Sequence, residues 1–120
     1  MAIRSHPQEK LARFSWGGFA PEKQSYFLPS ESPLFADITH RFITAWEKEF
    51  KAEPFRLVDS FNEMELPASG AERETFLADY GKSVYSAMKA ANPESVWVIQ
   101  GWMFGYQRDI WNRATVEALF

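Results

Sequence analysis

Cysteine, long apolar runs and paired histidines are all missing from this chain of 120 residues. Without cysteine, disulfide bonds, thiolate metal sites and cysteine nucleophiles are excluded. His6 and His40 stand alone, without the spacing of metal ligands, so no metal site is expected. The apolar stretches are far too short to cross a membrane, and no membrane partner is expected. The first ten residues are polar, with no apolar core of a signal peptide.

Positive charge is also scarce. The chain has 13 lysines and arginines against 16 aspartates and glutamates, which gives a net charge of -3. No broad basic field is present to hold a nucleic acid, so that partner is not expected. A glycine-rich phosphate loop and a serine nucleophile elbow are missing too, and we expect no cofactor.

Aromatic side chains are abundant. They make up 17% of a composition that is otherwise ordinary for a globular domain, with 46% hydrophobic and 24% charged residues. Small domains rich in aromatic residues often present rings to a ligand. The length favours one domain.

Strand and helix patterns alternate along the sequence. Ser32 and Pro33 suit the N-cap and first position of a helix that ends before Pro54. Residues 55–61 predict a strand, and Ser69 with Glu72 forms a capping-box pattern at the start of a second helix. That helix is expected to end at Asn92-Pro93, before an apolar strand over residues 95–100 of the type buried on both sheet faces. Residues 14–19 predict an earlier strand end, and residues 21–33 a long connection.

This order predicts an α/β fold with a parallel sheet and outer helices. A short helical turn is expected over residues 106–111, and Thr115 is the expected N-cap of a final helix. So few parallel strands cannot cover both sheet faces, which favours an incomplete domain. We therefore interpret residues 1–13 as a polar lead and residues 14–120 as a partial domain truncated at both ends. The alternative is a small, complete α/β domain.

The pair Asn62-Glu63 follows the first apolar strand. Barrel enzymes place catalytic groups at the carboxyl ends of parallel strands, so Glu63 is a candidate general acid. Asn62 offers a donor and an acceptor to a sugar hydroxyl or acetamido group. The alternative is a solvated loop glutamate with no chemical role. For Asp59 and Glu65 we expect a structural or supporting role.

Two of the five tryptophans lie beside glycines at strand ends. Trp16 and Trp102 could stack on the apolar face of a sugar ring, or could simply be core residues. The remaining three are expected in the core: Trp46 and Trp111 on helical faces, and Trp97 inside the apolar strand.

Three ordered blocks carry a family resemblance: residues 15–19 (SWGGF), 59–64 (DSFNEM) and 90–102 (AANPESVWVIQGW). With the connection over residues 27–35, they resemble the α-N-acetylglucosaminidases of glycoside hydrolase family 89. The resemblance covers nearly all of residues 14–120, with a small difference in the loop 65–72.

The resemblance implies a (β/α)8 TIM barrel, of which this chain is an incomplete slice of about strands three to five with their helices. It implies a retaining exo-hydrolase that acts on terminal α-linked N-acetylglucosamine of glycoconjugates or glycosaminoglycans. Glu63 resembles the general acid/base, Asn62 its substrate-contacting neighbour, and Trp16 and Trp102 the aromatic residues of the sugar pocket. The full-length protein would then be exported, whether periplasmic, extracellular or lysosomal.

The nucleophile is where the chain departs from the family pattern. In the family this second carboxylate lies on a later barrel strand, beyond the matched region, so the remainder of the enzyme would be needed to complete the barrel. We therefore expect the chain alone to be inactive. One alternative is a non-catalytic sugar-binding module that uses Trp16 and Trp102. Others are an interaction domain with accidental resemblance and a different retaining hydrolase with the same Asn-Glu pair.

Overall fold

Helices dominate the computed structural model, which describes residues 10–15, 17–66 and 69–120. Its strands are short, and in the described residues they form two separate two-stranded sheets. In chain order the elements are β1 (Ala12–Phe14), a 3₁₀ turn (Pro21–Lys23), β2 (Ser25–Phe27), α1 (Pro33–Phe50), β3 (Phe55–Leu57), α2 (Ala71–Ala91), β4 (Val96–Val98), α3 (Trp102–Tyr106) and α4 (Arg113–Leu119).

The first sheet is a hairpin that the sequence did not predict. Strands β1 and β2 pair antiparallel, with Phe14 opposite Ser25. The expected long connection over residues 21–33 therefore contains a strand, and the first strand does not join a parallel sheet. The 3₁₀ turn lies in the connection between them. Across the hairpin the rings of Phe14 and Phe27 meet edge to face at 5.1 Å.

Helix α1 begins where the sequence predicts. The Ser32 hydroxyl accepts a hydrogen bond from the Leu34 N–H at 3.1 Å, and Pro33 occupies the first turn. An N-cap oxygen satisfies one of the free N–H groups of the first turn. The expectation that Trp46 is a core residue is wrong, because its side chain is 46% exposed. It lies on an outward face of α1, whereas Leu34 and Ile43 point into the core.

Strands β3 and β4 are connected in sequence by helix α2 and pair with each other in parallel, as the alternation of strands and helices predicts. Two details differ. Gly70, not Ser69, is the N-cap of α2, and no side chain caps it. Val96 and Val98 are 45% and 38% exposed, so β4 is not buried on both faces. In the described part of the chain the helices cover one face of this strand pair, and Trp97 is half-buried on that side, packed against the core.

The last part of the chain follows its predicted pattern only in part. Helix α3 was not predicted. The helical turn expected over residues 106–111 does follow it, since the N–H groups of Ile110 and Trp111 both donate to the Gln107 carbonyl, at 3.0 and 2.8 Å. The N-cap of α4 is Asn112, whose side-chain oxygen accepts the Thr115 N–H at 3.1 Å. Thr115 is instead buried inside the helix, and its hydroxyl donates to the Ile110 carbonyl at 2.8 Å. Both residue types suit an N-cap, and here the asparagine takes that position.

The core lies where α1, α2 and α4 meet the strand pair. Its buried members are Ile43, Phe61, Leu77, Tyr80, Val84, Met88, Met103, Trp111 and Leu119. The buried position of Trp111 confirms that prediction. Burial also raises the pKa of the Tyr80 phenol, and a hydrogen bond with Ser60 only partly offsets this effect. The architecture is thus mixed α/β, and the residues described here do not close a barrel.

The described residues contain neither a membrane-spanning helix nor a metal-binding cluster. None of their helices has the length and apolarity to cross a membrane. They also contain no group of three or more His, Cys, Asp or Glu side chains that could hold a metal ion.

Candidate functional site

The carboxyl ends of β3 and β4 form one edge, because parallel neighbouring strands run in the same direction. The turn after β3 carries Asn62 and Glu63, and the segment after β4 carries Trp102. The sequence predicted these three residues as site members. The pairing of the two strands brings the segments that carry them to the same end of the sheet.

The turn after β3 is anchored by two buried residues. Phe61 is 4% exposed, and its ring packs against Phe27 at 5.9 Å, Phe76 at 5.4 Å and Tyr80 at 4.7 Å. Ser60 is also buried, and its hydroxyl donates to the Tyr80 hydroxyl at 3.3 Å. The aromatic cluster therefore fixes where the turn leaves the core.

The backbone of this turn is strained. Phe61 and Glu63 have φ angles of +56° and +54°, in the left-handed region that favours glycine. A non-glycine residue held there costs of the order of 1–3 kcal/mol, and such residues cluster at functional sites. The Met64 N–H closes the turn by donating to the Phe61 carbonyl at 3.3 Å.

The loop after β1 is hydrogen-bonded to this turn. The N–H of Gly17, in the loop after β1, donates to the Glu63 carbonyl at 3.1 Å. Gly17 itself has φ +57°, so a side chain there would be strained. This bond brings the glycine-rich loop against the candidate acid. Trp16, the predicted stacking residue next to Gly17, lies outside the described residues.

The candidate acid faces solvent while its neighbours are more enclosed. Glu63 is exposed, and Asn62 and Met64 are half-buried. An exposed carboxylate next to a partly enclosed amide can exchange protons with a bound molecule and hydrogen-bond its polar groups. The acid/base role of Glu63 and the binding role of Asn62 stay predictions.

Trp102 opens helix α3 directly after the β4 end. Its side chain is 40% exposed, which excludes the fully buried core alternative. The ring lies 5.5 Å from that of Tyr106, which is 75% exposed. Tyr106 was not singled out from the sequence, although its four-residue spacing from Trp102 on a helix was the available signal. Together the two rings present an aromatic surface to solvent.

A cross-strand bond links the two segments. The Asp59 carboxylate accepts the N–H of Gln100 at 2.9 Å. Beside it, the Trp97 indole N–H donates to the Val58 carbonyl at 2.9 Å. This contact is compatible with either the structural or the supporting role expected for Asp59. Its particular partner was not predicted, because the register of the two strands decides which N–H it meets.

A family model described as the α-N-acetylglucosaminidase (NAGLU) TIM-barrel domain matches residues 2–120. Human α-N-acetylglucosaminidase is 36% identical over 118 residues, which is 97% of this chain. The chain spans 16% of the length of that relative.

Proposed function

The chain belongs to the α-N-acetylglucosaminidase TIM-barrel domain family, and we propose that it carries the acid/base half of a retaining glycosidase active site. It would be a slice of about strands three to five of the barrel, with Glu63 as general acid/base. The substrate would be terminal α-linked N-acetylglucosamine on a glycoconjugate or glycosaminoglycan. If this chain is part of a full-length enzyme of that kind, the whole protein would be exported.

One observation carries the proposal. Glu63 is an exposed carboxylate on a strained turn at the carboxyl end of a parallel strand, and TIM-barrel enzymes place their catalytic groups at this end. Two non-glycine residues at positive φ within three positions favour such a role over that of a solvated loop glutamate. Strain of this kind is tolerated where it orients a functional group.

The proposed chemistry uses two carboxylates about 5–5.5 Å apart, as retaining hydrolysis requires. Glu63 would donate its proton to the glycosidic oxygen while the nucleophile attacks the anomeric carbon and the aglycone leaves. Glu63, now a carboxylate, would take a proton from water as that water displaces the nucleophile. The nucleophile would come from a later barrel strand, outside this chain.

Binding would use the residues around Glu63. The Asn62 amide would bond the acetamido group or a hydroxyl, and Trp16 and Trp102 would stack on the apolar sugar face. The exposed ring of Trp102 and its pairing with Tyr106 at 5.5 Å support a stacking role on the β4 side.

The first measurement is the DNA sequence on both sides of these 120 codons, followed by assay of the full-length product. We expect that product to hydrolyse an aryl α-N-acetylglucosaminide, and Glu63→Gln to lower kcat by about 10²- to 10⁴-fold. The matched control is Glu94→Gln, an exposed carboxylate at the opposite end of β4, which we expect to leave kcat unchanged. A wild-type rate in the Glu63→Gln enzyme contradicts the proposal.

Azide distinguishes an acid/base from a nucleophile. With an activated dinitrophenyl substrate the first step needs no proton, so Glu63→Ala should accumulate the glycosyl-enzyme. Azide should then release it as the α-glycosyl azide with retained configuration. The β-glycosyl azide would instead identify Glu63 as the nucleophile and overturn its proposed role.

The 120-residue chain by itself is expected to show no hydrolysis, because the second carboxylate would lie elsewhere. The exposed Trp102–Tyr106 pair favours a second candidate, a non-catalytic sugar-binding module. That candidate predicts that the chain alone binds N-acetylglucosamine, that Trp102→Ala abolishes binding and that Glu63→Ala does not. Hydrolysis by the full-length product that depends on Glu63 would exclude it.

A further inference from the structure

At the carboxyl end of β3 and β4, a hydrogen bond to a side chain follows the main-chain hydrogen bonds that pair the two strands. The Val96 N–H donates to the Pro54 carbonyl at 2.7 Å, and the Val58 N–H donates to the Val98 carbonyl at 3.0 Å. In a parallel pair, alternate residues of one strand bond the same neighbouring strand. The next donor of β4 in this two-residue series is the N–H of Gln100.

The Gln100 N–H does not bond a main-chain carbonyl of β3 or of the described residues that follow it. The Gln100 N–H bonds the Asp59 carboxylate at 2.9 Å, while the Val58 carbonyl accepts the Trp97 indole N–H at 2.9 Å. A carboxylate side chain thus continues the sheet one step beyond its backbone ladder. Hydrogen bonds to a charged acceptor are stronger than hydrogen bonds between neutral groups, so the Asp59–Gln100 bond is a strong link between the two strand ends.

The bond joins the two halves of the candidate site. Asp59 lies four residues before Glu63 in sequence and two before Phe61, where the strained turn begins. Gln100 lies two residues before Trp102, with only Gly101 between them. One half-buried carboxylate therefore connects the turn that carries the candidate acid to the segment that carries the candidate stacking ring.

We infer that Asp59 is a positioning residue, which sets the place of Trp102 relative to Glu63 through the Gln100 N–H. This inference rests on the proposed function. The carboxylate is already bonded to main chain, so it serves the reaction by fixing a neighbour rather than by transferring a proton. Loss of the bond would free the start of α3 and misplace the sugar against the acid.

The test uses the full-length enzyme that contains this chain. We expect Asp59→Ala to lower kcat/KM roughly 10-fold or more, since small misplacements of substrate are costly. Asp59→Asn keeps an acceptor oxygen at the same place and should recover most of the loss. Asp79→Ala, which removes an exposed carboxylate from α2, is the matched control and should leave kcat/KM unchanged.

A double-mutant cycle separates positioning from general destabilisation. If Asp59 acts through Trp102, Asp59→Ala should have little further effect in a Trp102→Ala background. An equal loss in both backgrounds would overturn the inference, because a purely structural defect acts regardless of Trp102. All variants are compared at a temperature at which their circular dichroism shows them folded.

Hydrogen exchange at the Gln100 amide gives a readout without activity. The amide should be protected in the parent and Asp59→Asn enzymes and exchange faster in Asp59→Ala. Faster exchange with unchanged kcat/KM would refute positioning while leaving the proposed function intact. An inactive parent, or azide products of the wrong configuration from Glu63→Ala, would instead refute the proposed function itself.

Discussion

Gly81 in α2 lies directly against the backbone of Leu119 in α4. A Cβ at position 81 would stand 2.0 Å from the Leu119 carbonyl oxygen and 3.0 Å from its carbonyl carbon. Both residues are buried. The missing side chain is therefore what lets the two helices approach this closely.

Gly81→Ala is expected to destabilise the fold by about 1–3 kcal/mol, because the clash with backbone outweighs the roughly 1 kcal/mol gain in helix propensity. Urea denaturation followed by circular dichroism measures the change, at a protein concentration low enough for the chain to sediment as a monomer. Gly105→Ala in α3 is the matched control, since a Cβ there meets nothing within 4 Å. It should be neutral or slightly stabilising, and equal effects at both positions would contradict the packing argument.

Glu47 is expected to matter more than the other carboxylates of α1. It forms an ion pair with Arg56 on β3 and accepts a hydrogen bond from the Asn92 amide at 2.6 Å. The Arg56 side chain is only 11% exposed. Glu47→Ala would leave this guanidinium enclosed without its partner, and we expect a loss of about 2–4 kcal/mol in urea denaturation.

The control for Glu47 is Asp37→Ala on the same helix. Asp37 pairs with Arg41 at 2.9 Å, but these side chains are 44% and 75% exposed. Exposed pairs contribute little, so the expected loss is below about 1 kcal/mol. Equal losses of unfolding free energy for Glu47→Ala and Asp37→Ala would show that the burial of Arg56 does not increase the contribution of its ion pair to stability.

Tyr80 is expected to make stability fall at alkaline pH. Burial raises the pKa of its phenol above the ordinary value of 10.0. Above pH 10 the unfolded chain releases this proton while the folded chain still holds it. Folding stability is therefore full below pH 10 and declines as pH rises toward the folded pKa, with a slope of up to about 1.4 kcal/mol per pH unit.

Tyr80→Phe should flatten that decline when urea midpoints are compared between pH 8 and pH 11. Tyr85→Phe serves as control, because Tyr85 is 52% exposed and should keep the wild-type slope. Parallel curves for wild type and Tyr80→Phe would show that another group causes the alkaline loss.

Element types were more predictable from sequence than element partners. Ser32 and Pro33 locate the start of α1 because capping is decided within one turn. The β1–β2 hairpin was missed, because its pairing depends on Phe14 meeting Phe27 and on contacts with the distant Phe61. Trp46 was misassigned because helical spacing identifies a face but not what covers it.

The candidate site shows the same division. The Asn62-Glu63 pair could be named as a candidate because a polar pair after an apolar strand is a local signal. The Asp59–Gln100 bond was not, since the residues are 41 positions apart and only the strand register brings them together. The bond from Gly17 to Glu63 likewise depends on how the hairpin packs, which no local pattern encodes.

The outward face of α1 is expected to make the isolated 120-residue chain self-associate. Phe42, Trp46 and Phe50 are 63%, 46% and 60% exposed, and their rings lie in series, tilted to one another, with centroids 5.9 and 4.6 Å apart. Beside them a groove of about 580 Å³ runs between α1 and β3. Exposed apolar surface of this kind favours association.

Sedimentation velocity over a range of concentrations measures the effect. The double variant Phe42→Glu, Trp46→Glu should shift the chain toward monomer. Tyr26→Glu changes an equally exposed ring, 61% accessible, on the hairpin, and should not. A wild-type chain that stays monomeric, with a cooperative melt, would contradict this prediction.

Under the acid/base role proposed for Glu63, its positive φ sets selection for stability against selection for catalysis. Glycine or asparagine would adopt φ +54° at lower cost, but neither carries a carboxylate. A library selected for stability alone should therefore replace Glu63, whereas one selected for hydrolysis by the complete enzyme should retain it. Glu63 would then be an easy residue to replace for higher stability but one that catalysis does not allow to change. Redesign of this turn for thermostability would therefore raise the melting temperature and lower kcat.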